Sequence, residues 1–210
     1  MPTYKLTYFG IKARGEPARL LMAYANIPFE DNRLQMQDWP TVKPTTPFGT
    51  VPTLEIDSSD CKLVLGQSRA ILKYLAKKAG LNGSNDMEEA QIDQYAGGVD
   101  EFFPVIGPHI QKAAMKAPEA PEILKSINET KLQPTILPMW EKFLANSKTG
   151  FLVNDKVSYA DLMLYNILEI LNTWDTSILA KFPKLQQALK AVSELPQLQA
   201  YLSKRGNPFV

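Results

Sequence analysis

Three short pieces of this sequence carry residues able to do chemistry together. The first is Tyr8, near the end of the alternating run Tyr4-Lys5-Leu6-Thr7-Tyr8-Phe9. The second is Pro47-Phe48-Gly49-Thr50-Val51-Pro52, and the third is Gly66-Gln67-Ser68-Arg69-Ala70-Ile71. A phenol at a strand end can donate a hydrogen bond to an anion in the cleft where α/β sheets bind ligands. A free thiol has a pKa of about 8.5, and a donor that favours the charged form lowers it. Val51 precedes a proline and is pushed to extended geometry, and Pro52 is a candidate for a cis peptide. Its amide and carbonyl can then receive an extended peptide as an added strand. Gln67 and Ser68 stand between a strand and a helix, where free amides attract a carboxylate. Such a surface suits a small acidic peptide that carries a nucleophile.

Each piece has a plainer reading. A strand tyrosine often only packs, Val51-Pro52 can be an ordinary turn, and Ser68 is a good helix cap. Trp39 and Lys43, on either side of Pro40, offer an indole donor and an ammonium to a carboxylate, or else simple loop packing. Arg14, beside Gly15, adds positive potential near Tyr8 or is merely solvated.

The elements that must position these residues follow from periodicity. Residues 3–9 alternate as a strand. Residues 15–26 have helical spacing, with Pro17 suited to a first turn. A strand is expected over 29–34, and two more at 53–56 and 63–65 joined by the turn Asp57-Ser58-Ser59-Asp60. Residues 68–78 read as an amphipathic helix with Ile71, Leu72 and Leu75 inward. The order strand, helix, strand, hairpin, helix makes an α/β unit over residues 1–79. The polar, glycine-bearing stretch 80–85 reads as a linker. Beyond it, helices are expected at about 87–113, 121–145, 158–172, 184–193 and 196–204, so residues 86–210 read as an all-α domain.

Ser158-Tyr159-Ala160-Asp161 has the pattern of a capping box, with Val157 and Leu162 placed for a hydrophobic staple. Its expected role is folding rather than catalysis.

The 23 basic and 22 acidic side chains nearly cancel, which argues against nucleic acid or an anionic membrane as main partner. With one cysteine, Cys61, and one histidine, His109, neither an intrachain disulfide nor a Cys/His metal cluster is available. No metal site is expected. The N-terminus lacks the pattern of a signal peptide, and no run reaches the roughly 18–20 apolar residues of a membrane span. A cytoplasmic, reduced setting is the expectation.

With these motifs in place, the whole chain resembles a cytosolic glutathione transferase. It is most similar to the sigma-type enzymes, which include prostaglandin D synthase and many helminth transferases. The likeness is carried by Tyr4 to Phe9, Asp38-Trp39-Pro40, Pro47-Phe48-Gly49, Val51-Pro52, Gln67-Ser68, Ala70-Ile71, Tyr74-Leu75 and Ser158 to Asp161. The resemblance implies a thioredoxin-like first domain, an all-α second domain and a homodimer. It implies glutathione as cosubstrate, with no further cofactor. Tyr8 would donate to the glutathione sulfur and Arg14 would tune the field there. Trp39 and Lys43 would hold the glycine carboxylate, and the Val51 backbone, before a cis Pro52, would pair with the cysteinyl part. Gln67 and Ser68 would hold the γ-glutamyl end. Asp100 or Glu101 would reach the glutathione amino group of the neighbouring subunit. The nucleophile would belong to the cosubstrate and not to Cys61.

Three departures stand out. Thr50 replaces a longer Gln or Lys, Arg69 replaces a neutral residue, and Pro108 stands where the prostaglandin synthase has tryptophan. Phe9, Phe103, Met163 and Ile167 are candidates for an apolar wall facing the second substrate, although core packing explains apolar helical spacing as well. The expected activity is conjugation of glutathione to hydrophobic electrophiles, as in detoxification. The alternatives are prostaglandin isomerisation, peroxide reduction, and a non-catalytic carrier of hydrophobic ligands on the same fold.

Overall fold

The computed structural model describes residues 2–59 and 62–205, so Asp60 and Cys61 of the hairpin region and residues 206–210 lie outside the described residues. The chain divides into two compact units. The first comprises described residues up to Asn82 together with those from Leu195 onward, and the second runs from Gly83 to Glu194.

The first unit is built on a mixed sheet of strands β1 (Thr3–Phe9), β2 (Glu30–Leu34), β3 (Thr53–Asp57) and β4 (Lys62–Gly66), in the order β2-β1-β3-β4. β1 runs parallel to β2 and antiparallel to β3, with Tyr8 opposite Arg33 and Thr7 opposite both Asn32 and Thr53. A parallel pair needs a crossover, and α1 (Glu16–Tyr24) supplies it. The antiparallel pair β3–β4 closes as a hairpin. A short helix, α2 (Trp39–Val42), follows β2 between two 3₁₀ turns, and α3 (Ser68–Ala79) follows β4. Gly80, in the left-handed conformation at φ +68, ends α3 as glycine does at a helix C-terminus. Leu6, Leu20, Leu21, Leu54, Ile71 and Leu72 form the buried interior of this unit. This is the thioredoxin-like arrangement expected from the sequence.

Helix α10 (Pro196–Lys204) also belongs to the first unit, where it packs against α1. The sequence reading had assigned it to a continuous helical domain over 86–210. The reason for the difference is a polar one: Tyr201 and Arg205 both end on Glu16 at the start of α1.

The second unit is helical. It contains α4 (Asp86–Asp100), α5 (Phe102–Ala114), α6 (Ala120–Ile127), α7 (Leu137–Phe143), α8 (Tyr159–Trp174) and α9 (Pro183–Ser193). α8 is buried along most of its length and packs on α4 and α9. The single helix expected over 87–113 is broken at Glu101. Pro104 has no N–H for the carbonyl of Asp100, and its ring crowds that carbonyl. The helix expected over 121–145 is likewise divided, by a π-helical segment (Asn128–Ile136) that contains Pro134. No helix among the described residues is long and apolar enough to cross a membrane.

At the start of α8 the capping box forms as the sequence indicates. The Ser158 side chain and the Asp161 carboxylate each accept from the other's backbone amide. Asp161 also accepts from the Ser158 hydroxyl at 2.6 Å and from the Leu152 amide at 2.8 Å. Burial pushes the Asp161 carboxyl up to about 6 against the pull of these hydrogen bonds.

Candidate active site

The residues singled out between β3 and α3 converge. Arg14, Thr50, Val51, Pro52, Gln67 and Ser68 line one cavity of about 300 Å³ in the first unit. The Val51–Pro52 peptide is cis. The pairing of β3 with β1 and β4 begins at Thr53, so the Val51 peptide stands beyond the ladder.

At the helix start on the opposite wall, the plainer alternative of a serine cap is not what forms. Ser68 is the first residue of α3, and Gln67 occupies the cap position without capping anything through its side chain. Gln67 has φ +67 and ψ 113. A bulky residue held at positive φ costs on the order of 1–3 kcal/mol and persists where its surroundings over-determine it. The first helical hydrogen bond runs from Ile71 to the Gln67 carbonyl. The first amides of an α-helix have no carbonyl to serve within the helix. A twelve-residue helix whose first residue, Ser68, lines a cavity is suited to a carboxylate there.

Tyr8 lies on β1 with only 6% of its surface exposed. Its ring leans on Gly15, where an added Cβ would meet ring atoms at 2.4 Å. Burial raises the phenol above its ordinary range, although a hydrogen bond from the Arg14 backbone and the charges of Arg14 and Arg19 pull it down. The group is therefore protonated at neutral pH and able to donate. Arg14 lines the cavity and touches the phenol, so Tyr8 is one hydrogen bond removed from the cavity wall.

The remaining candidates are distributed as follows. Trp39 opens α2, and Lys43 follows one turn later; neither lines the 300 Å³ cavity. Phe9 packs edge-on between Tyr8 and Trp39, with ring centres 5.8 and 5.7 Å away. It thus ties Trp39 to the strand that carries Tyr8. In the second unit, Asp100 ends α4 half-buried, and the exposed Glu101 occupies the break before α5. Phe103 is buried on α5. Met163 and Ile167 are 2% and 0% exposed. These two belong to the interior of α8 and offer no surface to a substrate, so the packing alternative holds for them.

A larger cavity of about 810 Å³ runs along the sheet past Lys5, Glu30, Asp57 and Lys62. Its charges neutralise each other in the pairs Lys5–Glu30 at 3.2 Å and Lys62–Asp57 at 3.0 Å. It presents no open helix start, and the smaller cavity is the better candidate.

The sequence reading overlooked Arg19 and Glu16. Their i, i+3 spacing on an otherwise apolar helix was the available signal. Both are buried.

Comparison with known proteins places the whole chain in one family. Residues 4–77 match the family model for the glutathione S-transferase N-terminal domain, and residues 109–205 match that for the C-terminal domain. Glutathione S-transferase 1 of Ascaris suum is 38% identical over 98% of both chains. The hematopoietic prostaglandin D synthase of Gallus gallus is 35% identical over 98% of both chains. The solved sigma class glutathione transferase of Fasciola hepatica superposes with a TM-score of 0.86, at 30% identity and covering 99% of both chains. The chain belongs to the glutathione S-transferase family, and it is a glutathione transferase enzyme.

Proposed function

We propose that this enzyme binds glutathione in the 300 Å³ cavity and conjugates its thiolate to hydrophobic electrophiles. The observation that carries the reading is the cavity shared by Arg14, the cis Val51–Pro52 peptide and the start of α3, with the buried, protonated Tyr8 phenol one hydrogen bond behind Arg14. In this reading Tyr8 donates to the glutathione sulfur and stabilises its anion, and Arg14 adds positive potential at the same place. The Val51 peptide pairs with the cysteinyl part. Gln67, Ser68 and the open α3 amides take the γ-glutamyl carboxylate. Trp39 and Lys43 take the glycine carboxylate, and Asp100 or Glu101 serves the amino group from a neighbouring subunit.

The sulfur then attacks an electrophilic carbon. A C–S bond forms, and either a leaving group departs with its electron pair or an activated double bond takes up the negative charge and later a proton. The enzyme's contribution is alignment of the two reactants together with stabilisation of the anion. The thiol comes with the cosubstrate, so no metal or prosthetic group enters the scheme. Phe9 and Phe103 remain the candidates for contact with the electrophile.

A homodimer fits this reading. Phe48 is 63% exposed beside the cavity loop, a large apolar side chain available to a second copy. A cytoplasmic detoxifying role is part of the proposal. Prostaglandin isomerisation is a second reading, favoured by the similarity to the Gallus gallus enzyme. Pro108, in the place of a tryptophan, counts against it.

The test is Tyr8→Phe, assayed against a panel of aryl halides, activated alkenes, organic peroxides and a prostaglandin endoperoxide. We expect wild-type conjugation with kcat lowered on the order of 10²-fold in the variant, with glutathione affinity retained. Equal turnover by the two proteins would remove Tyr8 from the mechanism. Turnover confined to the endoperoxide would favour the isomerase reading.

A further inference from the structure

Arg19 is a guanidinium sealed inside the first unit, 1% exposed. Its Nε donates to Asp31 at 2.9 Å, and its Nη1 donates to Glu16 at 3.3 Å. Two further hydrogen bonds reach backbone carbonyls, Phe9 at 3.1 Å and Ile11 at 3.4 Å. The first belongs to the last residue of β1, next to Tyr8, and the second lies two residues beyond it. The guanidinium carbon stands 5.8 Å from the centre of the Tyr8 ring. The same ring rests on Gly15, whose carbonyl accepts from the Arg19 amide at 3.4 Å. An ion pair needed only for cohesion has no reason to grip the backbone beside a phenol.

The network continues to the C-terminal helix. Glu16 Oε1 accepts from the Tyr201 phenol at 2.9 Å and from Arg205 Nη1 at 2.6 Å. The Arg205 and Glu16 side chains are almost fully enclosed. Burial and the adjacent Glu16 charge push the Tyr201 phenol above its ordinary range, so it remains a donor. A planar fork of donors in a fixed geometry is what lets one side chain serve two carboxylates and two carbonyls; a lysine ammonium does not match it.

We propose that Arg19 is a positioning residue for Tyr8, and that α10, through Tyr201 and Arg205 on Glu16, is the strut that holds Arg19 in place. The last helix of the chain is thereby part of the glutathione site's scaffold. This rests on the assignment of Tyr8 as donor to the glutathione sulfur.

The experiment compares wild type, Tyr8→Phe, Arg19→Lys and Tyr201→Phe in the full-length protein. Folding is followed by circular dichroism, kcat and KM are measured with an aryl halide, and the thiolate absorbance of bound glutathione is titrated. In folded Arg19→Lys we expect KM for glutathione within about twofold of wild type. We expect kcat to fall on the order of tenfold, a misplacement effect, and the bound thiol to titrate closer to its free value. Tyr201→Phe should move both readouts the same way by about two- to threefold, and it carries the test if Arg19→Lys does not fold. A folded Arg19→Lys or Tyr201→Phe with wild-type kcat and wild-type thiol titration overturns the inference. If Tyr8→Phe itself leaves the titration unchanged, the underlying assignment of Tyr8 fails instead.

Discussion

Two helix starts in this molecule look alike in sequence and are built to opposite ends. α8 is preceded by Ser158, whose side chain accepts from the Asp161 amide while the Asp161 carboxylate accepts from the Ser158 amide, a reciprocal capping box. α3 begins after Gln67, which takes the cap position at positive φ and caps nothing, while Ser68 has moved inside the helix. One start carries a side-chain cap, and the other, at the wall of a cavity, carries none. A helix N-terminus left open at the expense of backbone strain is a binding feature, and a closed one is a folding feature.

Removing the closed start should have the larger effect on stability. Asp161→Ala leaves the Ser158 and Leu152 donors unmatched in a buried site, and a loss of about 2–4 kcal/mol is expected. Urea denaturation measures it, and turnover per folded molecule should be unchanged. The same carboxyl should show a pH signature. Its folded value is raised to about 6 from an ordinary 3.8. The folded state therefore binds the proton more tightly than the unfolded chain does. The proton-linked part of the Asp161 contribution is fully present below about pH 4 and is lost as pH rises through about 6, while the hydrogen bonds to the carboxylate remain. The stability difference between wild type and Asp161→Asn should accordingly fall between those values and be flat above them.

At the open start the signs reverse. Ser68→Ala should barely alter stability, within about 0.5 kcal/mol, because no cap is lost. It should weaken glutathione binding by roughly tenfold, about 1.4 kcal/mol, by calorimetry. If Ser68→Ala instead costs stability as a lost cap would, the contrast between the two starts collapses. The smallest effect is expected at the neighbouring position. Gln67→Gly should relieve the positive φ and raise stability by up to about 1 kcal/mol in the free protein, while weakening glutathione binding a few-fold.

This contrast also marks what could be read from the sequence. The alternation of Tyr4, Leu6 and Tyr8 and the inward Ile71, Leu72 and Leu75 are local patterns, and the strand and helix they indicate are present. The capping box was legible because its partners are three residues apart. Whether Ser68 caps α3 stays open in the sequence because the decision rests on the φ of Gln67, which composition does not encode. Pro104 carried the information for the break at Glu101, which the single helix expected over 87–113 did not use. Met163 and Ile167 illustrate a deeper limit. A substrate wall and a core are written with the same apolar residues at the same spacing, and only burial separates them. The Glu16–Arg19 network joins residues 185 and more positions apart, so only the folded chain reveals it.

The central claim is that Tyr8, behind Arg14 at the cavity wall, lowers the thiol pKa of glutathione bound in the cavity. The direct measurement is the ultraviolet thiolate absorbance of bound glutathione against pH, in wild type and in Tyr8→Phe. The account predicts a thiol that titrates well below its free value of about 8.5 in the wild type and near it in the variant. Glutathione that binds both proteins and titrates as if free in both would contradict it, and would leave the fold as a cradle without the chemistry.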